Sequence, residues 1–141
     1  MNILIVNHHG ALGRLVGQLA SQTGWVVKIT SRILDLRMLL AKEKIDLIVC
    51  DATAAEEAEE TIGRLEFIKV LRDAHVQTRV LLFEQEGTEV TVDPVEAEAL
   101  GGVTVLRKPV AIADVRRFLA QTVDHIHNQA LQSDQQRQLD L

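Results

Sequence analysis

Ile3-Leu4-Ile5-Val6, then Asn7-His8-His9-Gly10, then the spaced apolar residues Leu12, Leu15, Val16, Leu19 and Ala20 form the stretch whose reading decides the fold. A continuous apolar run of this length is what a strand buried on both faces looks like, and the spacing that follows is a single apolar stripe on a helix. The unit is a strand, a polar turn and a crossover helix. It recurs along the chain. Leu47 to Cys50 and Val80 to Phe83 are further continuous apolar runs, so they are read with the first as central strands. Trp25 to Thr30 is interrupted by Lys28, and Val103 to Leu106 by Thr104, which places these two at the sheet edges.

Helical spacing fills the intervals. Ser31 is a plausible N-cap for a second helix carrying Ile33, Leu36, Leu39 and Leu40, and a third carries Ile62, Leu65, Ile68 and Leu71. A short fourth helix is predicted from Asp93-Pro94 to the Gly101-Gly102 stop. A fifth, from about Ile112, carries Val115, Phe118, Leu119, Val123 and Ile126. Strict alternation implies right-handed crossovers and a doubly wound α/β fold with a parallel sheet in the order 2-1-3-4-5. The ligand crevice of such a sheet lies at the carboxyl ends of strands one and three, which directs attention to Asn7, His8, His9 and Asp51.

Composition narrows the function classes. The 141 residues suit one domain, and 47% apolar content with a net charge of −5 describes a globular chain without the basic excess of a nucleic-acid binder. The start has no basic segment before its short apolar run, so it is not read as a secretion signal, and nothing approaches the ~20 apolar residues of a membrane span. Neither nucleic acid nor a membrane is an expected partner. The lone Cys50 forms no internal disulfide and no cysteine-based zinc pattern, which favours a reducing cytoplasm. The end, Asn128 to Leu141, turns polar and Gln-rich and reads as a helix extension or a linker tail.

Asp46-Leu47-Ile48-Val49-Cys50-Asp51 closing a third strand, Ile3 to Val6 closing a first and Lys108-Pro109 after a fifth resemble the bacterial receiver (response-regulator) family. The resemblance spans residues 1–127, with 128–141 outside it, and implies the (βα)5 flavodoxin-like architecture. It implies a signal-transduction module and not an enzyme. Partners would be a histidine kinase or an output domain. By position Asp51 matches the family's phosphoacceptor, Lys108 its conserved lysine, and Lys108-Pro109 a peptide bond usually held cis. The underlying physics is neutralisation of charge at a transferring phosphoryl group.

Several positions depart from that pattern. Where the family's acidic pair holds Mg²⁺, this chain has Asn7 and His8, and a hard cation prefers carboxylate and water oxygen. No cofactor is therefore expected, or Mg²⁺ if the pocket still functions. The Ser/Thr that would contact phosphoryl oxygens is replaced by Glu84, and the aromatic switch position falls on Val105. The segment 52–62 is acidic and lacks the proline that normally follows the phosphoacceptor.

These residues admit simpler roles. Asp51 is read either as a retained acceptor or as a cap or ion-pair partner of Lys108, and Lys108 is expected to pair with Asp51 or Glu84. Asn7, His8 and His9 suit a strand-to-helix turn, and Cys50 a small buried apolar position. Trp25 is placed at the end of the sheet away from the crevice. A transition-metal site of His8, Asp51 and Glu84 has no spacing rule behind it. Asn7-His8-His9-Gly10-Ala11-Leu12-Gly13 approaches the Asp-x-His-x-x-Gly of cobalamin-binding domains but misses at Asn7 and Leu12, and a small-ligand site of that kind is the third alternative after a divergent and a phosphorylation-competent receiver. Glu96 and Glu98 facing Arg116 and Arg117 of a second copy, beside Val105, would give a two-fold homodimer.

Overall fold

The computed structural model describes residues 1–7, 9–52, 62–76, 78–84, 103–107 and 109–139, with side chains described through residue 132. The chain divides into two units, Met1–Pro109 and Val110–Leu141. The first holds β1 (Asn2–Val6), α1 (Ala11–Gln22), β2 (Val26–Thr30), α2 (Ile33–Lys42), β3 (Leu47–Asp51), α3 (Arg64–Asp73), β4 (Arg79–Glu84) and β5 (Val103–Arg107). The five strands form one sheet in the order β2-β1-β3-β4-β5, every neighbouring pair parallel, as the alternation of patterns predicts.

Burial explains why the apolar runs end up central. All five residues of β3 are buried, and β4 is buried from Val80 to Glu84, because crossover helices cover a parallel sheet on both faces. In the edge strands β2 and β5, exposed positions are interspersed with covered ones. On one face Leu4, Val6, Ile48, Cys50 and Leu82 pack with Leu36 of α2 and with Phe67, Ile68 and Leu71 of α3. Each large apolar side chain removed from water there contributes about 1.5–3 kcal/mol. On the other face α1 approaches so closely that Gly17 lies against Ile5.

Three local expectations are corrected. Arg32, not Ser31, is the N-cap of α2, and it makes no side-chain cap bond. Thr30 supplies the turn instead, its Oγ1 accepting the Arg32 N–H at 3.3 Å. Ile62 precedes α3, and Leu65 is 67% exposed. Once the helix starts at Arg64, the covered stripe runs through Phe67, Ile68, Val70 and Leu71. The helix predicted over Asp93 to Gly102 lies outside the described residues.

The second unit is one helix, α4 (Ile112–Leu139), of 28 residues, about 42 Å long at the usual rise. Its helical span includes most of the polar tail. Val115, Phe118, Leu119 and Thr122 are buried, whereas Val123 is exposed. Position 122 lies two turns on from Val115 on the same helix face, and the Thr122 hydroxyl donates to the Phe118 carbonyl at 2.9 Å. Among the described residues no helix is long and apolar enough to cross a membrane.

Two glycines beside α1 give the same substitution opposite signs. A Cβ on Gly17, inside the helix, would meet only the Ile5 Cδ1 tip at 3.4 Å, so Gly17→Ala should gain about 0.5–1 kcal/mol of helix propensity. Gly24 has φ +82°, and Gly24→Ala should lose about 1–2 kcal/mol to left-handed strain. Thermal melts of both variants check this, and a Gly17→Ala protein that melts below the parent would show that the Ile5 contact does not yield.

Candidate functional site

The carboxyl ends of the strands carry the polar residues. Strand register sets Cys50 opposite Val6, Asp51 opposite Phe83 and Glu84 opposite Arg107, so Asn7, Asp51, Glu84 and Arg107 all stand at one end of the sheet. Asn7, Asp51 and Glu84 are buried.

Asn7 leaves β1 in the left-handed region, at φ 62°. Asparagine is among the few residues that adopt it at modest cost. The backbone turns there, its N–H donating to Thr30 O at 2.8 Å and its carbonyl accepting the Gly10 N–H at 3.2 Å. The side chain points inward and behaves as an extra peptide group. Its Oδ1 accepts the Ile62 N–H at 2.9 Å, while Nδ2 donates to Ile62 O at 2.8 Å and to Asp51 O at 3.3 Å. Both ends of the segment between Asp51 and Ile62 are thereby tied to the end of β1.

Asp51 ends β3 fully buried, and its Oδ2 accepts the Gly13 N–H at 3.3 Å. Gly13 lies in the first turn of α1, whose N-cap Gly10 offers no side-chain cap bond. A carboxylate from β3 thus serves one of the donors that a helix start leaves over, where the macrodipole also favours negative charge. Cys50 next to it is buried in the core. Its thiol is pushed well above the ordinary value of 9.0, first by burial and second by the Asp51 charge. It stays protonated and unreactive in the folded state.

Glu84 is 2% exposed, and its Oε1 is ion-paired to the Nε of Arg64, the first residue of α3. Arg107 stands across the strand pair with its Nε 3.7 Å from Oε2, beyond hydrogen-bond reach. Glu84 puts a negative charge where the sequence resemblance places a Ser/Thr. Two arginines compensate it. The sequence pattern gives Arg64 no role, although a cation at a helix start opposes the macrodipole and so signals a partner nearby.

The fit of this end of the sheet to Mg²⁺ is poor. The Asn7 oxygen already accepts a backbone N–H, and its nitrogen faces two carbonyls. Glu84 is drawn toward guanidinium groups. Among the described residues no group of three His, Cys, Asp or Glu side chains is arranged to hold a metal ion.

His8 and Lys108 lie outside the described residues, and with them the expected contact of Lys108 to Asp51 or Glu84 and the Lys108-Pro109 bond. Glu96 and Glu98 lie outside them too. Val105 is half-buried and packs on the core cluster. Arg116 and Arg117 are exposed on α4, where Arg117 lies 3.6 Å from Asp114. Trp25 stands at the start of β2, away from Asn7 and Asp51, its N–H donating to Ala20 O at 3.1 Å.

No family model matches the sequence, and no curated protein does. Solved structures do. The signal receiver domain of a protein described as a Luxo repressor from Vibrio parahaemolyticus superposes with TM-score 0.66 at 15% identity, covering 92% of this chain and 94% of that one. The receiver domain of a response regulator from Francisella gives 0.65 at 15%, covering 89% and 98%. That of the response regulator TorR, of a TMAO respiratory system, gives 0.61 at 19%, covering 89% and 98%. The fold is that of receiver domains.

Because Asn7 supplies both a donor and an acceptor to buried backbone, Asn7→Asp should destabilise the protein by about 2–4 kcal/mol near neutral pH, leaving carbonyls without their donor and adding a charge beside Asp51. Urea unfolding measures it. A variant as stable as the parent would show that the amide is dispensable.

Proposed function

We propose that the chain is a receiver-like signalling module that acts by docking to a signalling protein, a histidine kinase or an output domain, with Mg²⁺-dependent phosphorylation of Asp51 weak or absent. The observation that carries this reading is the side chain of Asn7. It stands where the receiver resemblance places one of the metal-binding carboxylates, and its donors and acceptor are committed to Ile62 and Asp51 backbone. Glu84, at the position of the phosphoryl-contacting hydroxyl, supports the reading from the other side of the crevice, since it is held by Arg64.

The phosphorylation-competent alternative draws on one feature, the Asp51 carboxylate buried at the carboxyl end of β3 beside the Gly13 N–H. Intact-mass analysis after incubation with acetyl phosphate and millimolar Mg²⁺ decides between the two. The expected result is no phosphoryl adduct, together with amide resonances of Asn7 and Asp51 that show no saturable shift on adding Mg²⁺. A stoichiometric adduct lost in Asp51→Asn would establish the alternative.

We also infer a homodimer through α4. Arg116 and Arg117 are exposed there, and Ile112 and Leu131 are each 50% exposed on the same helix. Receiver-like modules that dock through a helical face need no chemistry to associate, and rim charges of this kind set register more than affinity. Sedimentation at tens of micromolar without a phosphodonor should show a dimer that survives Asp51→Asn and dissociates when Arg116 and Arg117 are both replaced by Glu. A monomer under the first condition would reject it.

A further inference from the structure

Helix α2 is apolar on two opposite sides. Leu36 is fully buried, and Ile33, Leu39 and Leu40 pack with it on the core cluster. The outward side carries Leu34, 76% exposed, Met38, 53% exposed, and the exposed Ala41, whose spacing sets them in one stripe. A crossover helix needs only its inner face for the sheet, and adjoining exposed apolar residues mark a surface that meets a partner. Charge says which partner. Asp35 and Lys42 lie on the same flank of the stripe, one before Met38 and one after it, and neither has an ion-pair partner among the described residues. If two copies of α2 are laid antiparallel about a two-fold axis at Met38, residues before that point meet residues after it. Leu34 then lies against Ala41 of the second copy, Met38 against Met38, and Asp35 of each copy faces Lys42 of the other. Arg37, on the opposite flank, lines the groove between α2 and α3 together with Asp73, which offsets the charge that two copies of Arg37 bring there.

We propose that the outer face of α2 is a self-complementary docking surface for α2 of a second copy of this chain, set antiparallel across Met38. Leu34, Met38 and Ala41 supply the apolar contact, with the flexible Met38 thioether filling the centre, and the reciprocal Asp35–Lys42 pairs set the register. Two helices of 10 residues, about 15 Å long, cover less than the ~800 Å² per partner of a standard interface, so the contact is weak by itself. It uses none of the α4 charges. The inference stands apart from the α4 homodimer and from the signalling role, and its failure leaves the tests of both untouched.

Met38→Cys tests it, because a two-fold axis at that residue brings the two introduced thiols together, while the native Cys50 is buried. The variant is treated with oxidised glutathione at tens of micromolar protein, and the disulfide-linked dimer is read on a non-reducing gel. Gln18→Cys, exposed on α1 at the other face of the sheet, is the control. Met38→Cys should cross-link several-fold more than the control, lose the excess when Leu34→Glu is added, and keep it when Arg116 and Arg117 are both replaced by Glu. No excess, an excess indifferent to Leu34→Glu, or one that vanishes with the α4 arginines would each overturn the proposal. The register has its own readout. Asp35→Lys and Lys42→Asp, each added to Met38→Cys, should cross-link poorly alone and recover when the two proteins are mixed, since unlike charges then face each other again. A mixture that links no better than either variant alone would overturn the antiparallel pairing.

Discussion

The rest of the crevice depends on the two-point bond between the Asn7 amide and the Ile62 peptide. It joins β1 to the entry of α3 across 55 residues of sequence, and through the Asp51 carbonyl it includes β3 as well. Because Asn7 is fully buried, each of these bonds replaces one that water would otherwise supply. With the start of α3 set in this way, Arg64 comes within reach of Glu84, and Phe67, Ile68 and Leu71 are brought onto the core. A polar contact at the sheet's end therefore fixes where an apolar helix face lands.

The same bond commits the Asn7 side chain to backbone and not to a cation. A metal at this end of the sheet requires oxygen atoms with lone pairs turned outward. Asn7 turns its one oxygen toward a peptide N–H, and the Asp51 carboxylate accepts from the first turn of α1. Interactions that would stabilise an ion are here made within the protein. The crevice keeps the outline of the fold while its polar groups are directed at one another.

Much of the fold was legible because it is written in burial. Three continuous apolar runs read as central strands and the runs interrupted at Lys28 and Thr104 as edges, so the division into centre and edge followed from the hydrophobic pattern. The site was legible as positions and not as partners. Asn7, Asp51 and Glu84 were placed at the correct end of the sheet, but nothing local in sequence reveals that Asn7 meets Ile62 or that Glu84 meets Arg64, 20 residues before it. Local rules also mislead where a neighbour overrides them. Ser31 looks like a cap, yet Thr30 makes the bond, and Val123 looks like core, yet Thr122 takes the place once its hydroxyl has a carbonyl to serve.

Arg64 shows how magnitudes decide such conflicts. A cation in the first turn of a helix costs about 0.3–1 kcal/mol against the macrodipole. A carboxylate buried to the extent of Glu84 without a counter-charge costs several kcal/mol. Burial of the charge outweighs the dipole, and the helix tolerates an unfavourable residue at its start because that residue neutralises a carboxylate the sheet has taken out of water. Asp51 makes the complementary exchange at α1, where a helix without a capping side chain takes a carboxylate from β3. The starts of α1 and α3 are thus each tied to an acid on a strand. The ion pair with Arg64 makes Glu84 a structural element that links the end of β4 to the start of α3.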